Sequence, residues 1–161
     1  MQLADSELGG PFDLILSLPV HPLVVHSAVV LVPIVALSAL VMSYLPSFSR
    51  RYGKLVIALA VIAQLTLFIA KASGESFAER IGKEVERHQN FGDLAPWVTL
   101  PMLILLFIRW RMDREGATVG SPLIRRLVSL GLILAAIAAL VIIFLTGHSG
   151  AESVWGWVSK G

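Results

Sequence analysis

Apolar residues occur in four long stretches separated by polar segments. Pro22 to Tyr44 and Leu127 to Gly147 contain no acidic residue, lysine or arginine, and Leu55 to Ala70 and Leu94 to Ile108 are shorter apolar runs with amphipathic flanks. About 20 helical residues cross a hydrocarbon core of ~30 Å. The pattern predicts an all-α membrane protein, a four-helix bundle in one domain, residues 1–161, with spans at about 22–44, 54–71, 94–110 and 126–147.

The composition supports a membrane protein and excludes several kinds of site. Hydrophobic residues make up 56% of the chain and charged residues 15%, where an ordinary globular domain carries roughly 25% charge. Cysteine is absent, which excludes disulfides, thiolate zinc sites, cysteine-ligated iron–sulfur clusters and the covalent attachment of c-type haem. We find no phosphate-binding loop, no catalytic nucleophile with its base, and no nucleic-acid motif, so no catalytic residue and no nucleic-acid partner is predicted.

The basic residues predict the orientation of the chain in the membrane. The connections between spans one and two and between spans three and four are rich in bases: Arg50, Arg51, Lys54, Arg109, Arg111, Arg114, Arg125 and Arg126. Only Asp113 and Glu115 oppose them. By the positive-inside rule these connections are cytoplasmic. We therefore expect a multi-pass protein of the bacterial cytoplasmic membrane with both termini on the extracytoplasmic side.

The connection between spans two and three, Lys71 to Asp93, is long enough to have structure of its own. Ser76 and Glu79 match a capping box. Apolar residues then recur at helical spacing, which predicts an amphipathic surface helix that covers the outer end of the bundle. Its apolar face would comprise Phe77, Ile81, Val85 and His88.

All four histidines are predicted to lie on the extracytoplasmic side. His21 and His26 begin the first span, His88 belongs to the surface helix and His148 follows the fourth span. We interpret His21, just before Pro22, mainly as a helix cap, and expect the deeper His26 to point into the bundle. Because imidazole is a common metal ligand and the usual axial ligand of b-type haem, His26, His88 and His148 are the candidate cofactor ligands, with His21 as a further metal ligand.

The sequence leaves three functions open. The first is binding of haem b, copper or iron for electron transfer near the outer surface. The second is a non-catalytic accessory subunit of a larger, respiratory membrane complex, in which the histidines serve packing. The third is a small transporter or a quinone-handling enzyme, for which the polar residues inside the spans, Gln64 and Thr66, are few; these two residues are better explained as interhelical hydrogen-bond partners. Membrane lipids and other subunits, or further copies of the chain, are the expected partners.

Two histidine motifs resemble those of a bacterial membrane family of unknown function, DUF2231. The motifs are His21-Pro22-Leu23-Val24-Val25-His26 at the start of the first span and Gly147-His148-Ser149-Gly150-Ala151 at the end of the last, and Glu86-Arg87-His88 ends the middle segment. The family commonly has V-H-F-P-I and G-H-x-G-G, from which this chain departs after His26 and at Ala151. The resemblance covers nearly the whole chain. It implies a redox association, because the family's domain occurs joined to Rieske or cytochrome modules.

Overall fold

The computed structural model describes residues 14–15, 18–81, 86–114 and 121–158, with side chains from Leu18 onward except at 79–81. Long helices dominate this part of the chain, preceded by one short antiparallel pairing of two-residue strands in which Leu14 faces Pro19. The elements are β1 (Leu14–Ile15), β2 (Leu18–Pro19), α1 (Val20–Tyr44), α2 (Pro46–Ile81), α3 (Glu86–Arg114) and α4 (Pro122–Trp155).

The described helices confirm the predicted fold class. All four are long and apolar enough to cross a membrane. Each predicted span lies inside one helix, and the helices extend beyond the predicted limits at nearly every end. Large apolar side chains such as Leu37, Leu65 and Phe144 are exposed on the outside of the bundle. Such a surface is suited to lipid, where a helix satisfies its backbone hydrogen bonds internally.

The predicted amphipathic surface helix is wrong. Helix α2 continues without interruption from its apolar part to Ile81, and α3 already begins at Glu86, so Phe77 and His88 belong to different helices. Val85 lies outside the described residues. The capping signal at Ser76 failed because no proline interrupts α2 before it, and extending a helix by one residue costs far less than starting a new one.

The helices form an antiparallel bundle in the cyclic order α1, α2, α3, α4, in which each helix packs against its two neighbours. The parallel helices α1 and α3 also touch across the centre. Small side chains line the interior of α2 and α4 and permit this close approach: Ala60, Ala63, Ala136 and Ala139. The N-termini of α1 and α3 therefore lie at the same end as the C-termini of α2 and α4.

The two helical hairpins repeat one another. Residues of α2 and α4 that lie 76 positions apart match in type, and Pro46 and Pro122 begin the two helices. Four further pairs match in both type and burial: Ala60 and Ala136, Ala63 and Ala139, Ser73 and Ser149, Gly74 and Gly150. In α1 and α3 the corresponding residues lie 67 positions apart and include His21 and His88, and Ala28 and Ala95. The matching helices, α1 with α3 and α2 with α4, are parallel and lie diagonally opposite each other in the bundle. The two hairpins are therefore related by an approximate two-fold rotation about the bundle axis.

A polar contact in the middle of the bundle joins α2 to α3. The Gln64 Nε2 donates to the Pro96 carbonyl at 2.8 Å, and the Thr99 hydroxyl donates to the Gln64 Oε1 at 3.0 Å. The expected interhelical role of Gln64 is confirmed. Thr66 instead donates to the Ala63 carbonyl of its own helix. The amide of Gln64 therefore links the two hairpins near the bundle centre.

We expect Gly53→Ala to destabilise the bundle. A Cβ at Gly53 would overlap the Trp110 Cδ1 and lie 2.9 Å from its Nε1, so the indole must move. Overpacking of this kind costs about 1–3 kcal/mol, and the mutant's thermal unfolding in detergent should shift to lower temperature. Gly92→Ala is the control, because nothing lies within 4 Å of its added Cβ. Equal unfolding temperatures for the two variants would contradict the observed packing.

Candidate functional site

His21 is held in place by the neighbouring helix. Its Nδ1 lies 2.9 Å from the carbonyl oxygen of Ala70 on α2. A carbonyl can only accept a hydrogen bond, so Nδ1 carries the proton and donates. The ring also stacks on Phe77, with centroids 5.9 Å apart. Helix α2 therefore fixes both the position and the orientation of this imidazole.

His88 repeats this arrangement in the second hairpin. Its Nδ1 lies 2.9 Å from the carbonyl oxygen of Thr146 on α4 and must donate for the same reason. Ala70 and Thr146 are equivalent positions in the repeat, as are the two histidines. Each hairpin thus presents one imidazole bound through Nδ1 to a backbone carbonyl.

A glycine makes each of these contacts possible. A Cβ at Gly74 would lie 3.1 Å from the His21 Cε1, and a Cβ at Gly150 would lie 3.1 Å from the His88 Cε1. Both glycines come four residues after the accepting carbonyl, so they are the residues one turn further along the helix. Their missing side chains open the helix surface to the imidazole.

A serine precedes each glycine and adds to the same contact. The Ser73 hydroxyl donates to the Ala70 carbonyl at 3.2 Å and lies 3.4 Å from the His21 Nδ1. The Ser149 hydroxyl donates to the Thr146 carbonyl at 3.0 Å and lies 3.5 Å from the His88 Nδ1. Each Ser-Gly pair therefore forms a polar niche for one imidazole.

The two imidazoles meet near the bundle axis. Their ring centroids lie 6.1 Å apart and the ring planes are inclined by 77°. Among the described residues, no hydrogen-bond partner reaches either Nε2. Because Nδ1 carries the proton in the neutral ring, each Nε2 has a lone pair available for a ligand.

A cavity of about 370 Å³ adjoins the histidine pair. Its walls are mostly apolar and include Val25, Ala28 and Ile143. Charged residues line one part of it, where the Lys71 Nζ lies 2.6 Å from the Asp93 Oδ1. The cavity thus combines an apolar interior, two imidazoles and a charged rim.

The structure does not bring the predicted ligand set together. His26 is exposed, and its Nδ1 bonds to the Pro22 carbonyl of its own helix. His148 is also exposed and stacks on Phe144 at 5.8 Å. The expectation that His26 points into the bundle is therefore wrong, because the opposite face of α1 packs inward. The reading of His21 as a cap is also wrong, since the residue preceding α1 is Pro19.

This geometry limits the chemistry that the pair can perform. Within the described part of the chain, no group of three or more histidine, cysteine or acidic side chains could hold a metal ion. Protein sites for a bare metal ion commonly supply three or four ligands. The pair of imidazoles is instead suited to a group that needs two ligands from the protein.

The role of His21 could have been detected from one signal in the sequence. Ser73-Gly74 ends the apolar part of α2, and Ser149-Gly150 ends that of α4. Aligning these dipeptides relates the two hairpins and places His21 opposite His88. Matching helices of this repeat run in the same direction, so it is not an inverted repeat.

The comparisons with known proteins identify the family. The family model described as predicted membrane protein, DUF2231, matches residues 17–158. No curated protein and no solved structure shows a significant match. The matched range includes both histidines and all four described helices. The resemblance carried by the histidine motifs is thus confirmed, and the chain belongs to the DUF2231 family of predicted membrane proteins.

Proposed function

We propose that the chain binds a b-type haem through His21 and His88 and serves electron transfer in the membrane. One observation carries the proposal: both imidazoles donate Nδ1–H to a backbone carbonyl, and each leaves Nε2 available. Histidines that ligate a metal almost always donate their other ring N–H to a carbonyl, carboxylate or water. This bond fixes the tautomer and orients the ring before the ligand arrives.

The number of converging ligands favours haem over a bare ion. A porphyrin itself supplies four nitrogen ligands to its iron, so the protein would need to provide only the remaining ligands, here His21 and His88. Two histidines from facing helices are a common source of such ligands in bundles. Copper or iron bound without a porphyrin would need further ligands, and the described residues near His21 and His88 include no third histidine or acid with suitable geometry.

The spacing of the rings also supports the proposal. His21 and His88 would both hold one haem, which requires their rings to lie close together. Their ring centroids are 6.1 Å apart. The mostly apolar cavity beside the pair offers a surface for a flat apolar macrocycle, and Lys71 at its rim offers a cation for an acidic substituent.

A haem bound here would supply a one-electron redox centre. His21 and His88 would hold it at one end of the bundle, and the apolar walls of the cavity would keep water from it. The redox association that the family resemblance implies agrees with this role. The exposed His26 and His148 lie outside the proposed ligand pair.

The orientation of the bundle is part of the proposal. The histidine pair lies at the end opposite Arg50, Arg109 and Arg125. The positive-inside rule places this arginine-rich end in the cytoplasm. The proposed haem site then faces the extracytoplasmic side of the bacterial cytoplasmic membrane, where both termini also lie.

Replacing either paired histidine should remove the haem. We expect wild-type protein, purified in mild detergent from membranes of haem-replete cells, to show a Soret band and about one haem per chain. His21→Ala and His88→Ala should each lower haem occupancy more than about tenfold, because each removes an axial ligand. Absorption spectra and a haemochrome assay measure the occupancy. The repeat predicts effects of similar size for the two variants.

His26→Ala and His148→Ala are the matched controls and should retain the haem. Folded wild-type protein without haem would contradict the proposal. If that haem-free protein co-purified with a respiratory complex, the accessory-subunit function would be favoured. Metal in the purified protein without a Soret band would indicate that the site binds a bare metal ion and not haem. Loss of haem in the control variants but not in His21→Ala would show that the exposed histidines, and not the proposed pair, are the haem ligands.

Replacing a glycine of either Ser-Gly pair should lower haem occupancy, because the added side chain displaces the imidazole packed against it. Gly150→Ala places a Cβ 3.1 Å from the His88 Cε1 and Nδ1, so the ring must shift from the Thr146 carbonyl. Loss of such an orienting contact costs about tenfold or more in ligand affinity. Gly131→Ala, whose Cβ would make an ordinary 3.4 Å contact with Leu105, should leave occupancy unchanged. Equal haem content in both variants would show that the glycine does not position His88.

Single cysteines can test the orientation, because the natural chain has none. Glu86→Cys, at the histidine end, should react with an impermeant maleimide in spheroplasts. Arg51→Cys, at the opposite end, should react only after permeabilisation. Both residues are exposed, so labelling depends on the side of the membrane. The reverse pattern would place the histidine pair on the cytoplasmic side.

A further inference from the structure

The end of the bundle opposite the histidines contains a second cavity, of about 310 Å³. Three arginines line it, Arg109, Arg125 and Arg126, and no carboxylate does among the described residues. Ser43 and Ser129 also line it, and their hydroxyl groups donate to the carbonyls of Ala39 and Arg125. A cavity with guanidinium donors and no acidic side chain among its lining residues is suited to an anion.

Arg109 is the buried donor of this cavity. Its side chain is only 6% exposed, and it donates from Nε to Asp113 at 3.0 Å and from Nη1 to Ser129 at 2.7 Å. These contacts hold the guanidinium in a fixed orientation. Within the described part of the chain, no acceptor reaches its other terminal nitrogen, Nη2. The Nη2 group of Arg109 can therefore donate a hydrogen bond to an anion in the cavity.

Asp113 keeps this end of the bundle together. Its carboxylate is fully buried and binds Arg109 through Oδ2 and Arg125 through Oδ1, each at 3.0 Å. One carboxylate therefore serves two guanidinium groups. Arg126 adds a third positive charge, is exposed, and forms no ion pair with a described residue.

The remaining lining residues indicate what carries the anion. Leu130 and Ile133 continue the cavity along α4 toward the middle of the membrane. Leu130 is 53% exposed on the lipid-facing surface. Donors at the helix end with aliphatic side chains below them match a phospholipid, whose phosphate lies at the interface and whose acyl chains lie deeper. A free inorganic phosphate would make no favourable contact with Leu130 and Ile133.

We propose that this cavity, lined by Arg109, Arg125, Arg126 and Ser129, binds the phosphate of an anionic membrane phospholipid whose acyl chain lies along Leu130 and Ile133. The equivalent part of the first hairpin lacks the site, because Met42 and Gly53 stand where the second hairpin has Arg109 and Ser129. The proposal is independent of the histidine pair, since the two cavities lie at opposite ends of the bundle.

Native mass spectrometry of the purified full chain, titrated with dioleoylphosphatidylglycerol or dioleoylphosphatidylcholine, tests the proposal. We expect one phosphatidylglycerol to be retained in preference to phosphatidylcholine. Arg126→Gln should weaken that binding about fivefold, the effect of one basic residue near a lipid phosphate. Arg50→Gln is the matched control, because Arg50 is the exposed repeat equivalent and does not line the cavity. Phosphatidylglycerol binding by the Arg50→Gln variant should stay unchanged.

Ile133→Trp separates a lipid from a free anion, because it fills the aliphatic part and leaves the charges in place. We expect it to reduce phosphatidylglycerol binding, and we expect inorganic phosphate at millimolar concentration not to displace the lipid. Equal losses in Arg126→Gln and Arg50→Gln, or equal binding of the two lipids, would overturn the proposal in favour of unspecific surface charge. Displacement by inorganic phosphate with no effect of Ile133→Trp would overturn the lipid assignment.

Discussion

An imidazole can reach the carbonyl of an unbroken helix only where the side chain one turn further on leaves room. Two positions of this protein leave that room because they are glycines: Gly74 beside His21 and Gly150 beside His88. The histidine Nδ1–H and the hydroxyl of the neighbouring serine both donate to this carbonyl. They share its two lone pairs with the N–H of the helix itself. The bond ties α1 to α2 and α3 to α4 while it sets the tautomer of each ring. The position of the rings, their free Nε2 atoms and the adjoining cavity all depend on it.

The same constraint explains why the site lies on the approximate two-fold axis. Each hairpin delivers one imidazole to its own partner helix, and the packing of α1 against α3 brings the two rings to 6.1 Å. At the opposite end the hairpins diverge. The second hairpin has a buried ionic cluster around Asp113, whereas the first has Gly53, over which Trp110 packs. The repeat is thus preserved at the histidine end and altered at the arginine end, and a different ligand is proposed at each.

The two ends also differ in how they satisfy polar groups inside an apolar environment. At the histidine end each imidazole donates from Nδ1 to a backbone carbonyl, so this polar group has a hydrogen-bond partner inside the bundle. At the arginine end Asp113 is fully buried and needs both Arg109 and Arg125. Removing one partner of a buried ion pair leaves an uncompensated charge, which is strongly destabilising. The arginine end therefore depends on its ion pairs for folding, whereas the histidine end can lose an imidazole and keep the bundle.

The sequence alone determined the fold class, the four spans and the family. Spans can be read from composition, because a lipid-exposed segment must be apolar along its whole length and satisfy its backbone as a helix. It did not determine which histidines meet. Spans that are apolar on every side carry little information about which face packs inward, so His26 appeared as suitable as His21. The surface helix failed because a local capping signal at Ser76 lost to the extension of α2. Only the tertiary structure decided that His21 and His88 face each other, since this depends on contacts between residues far apart in the chain.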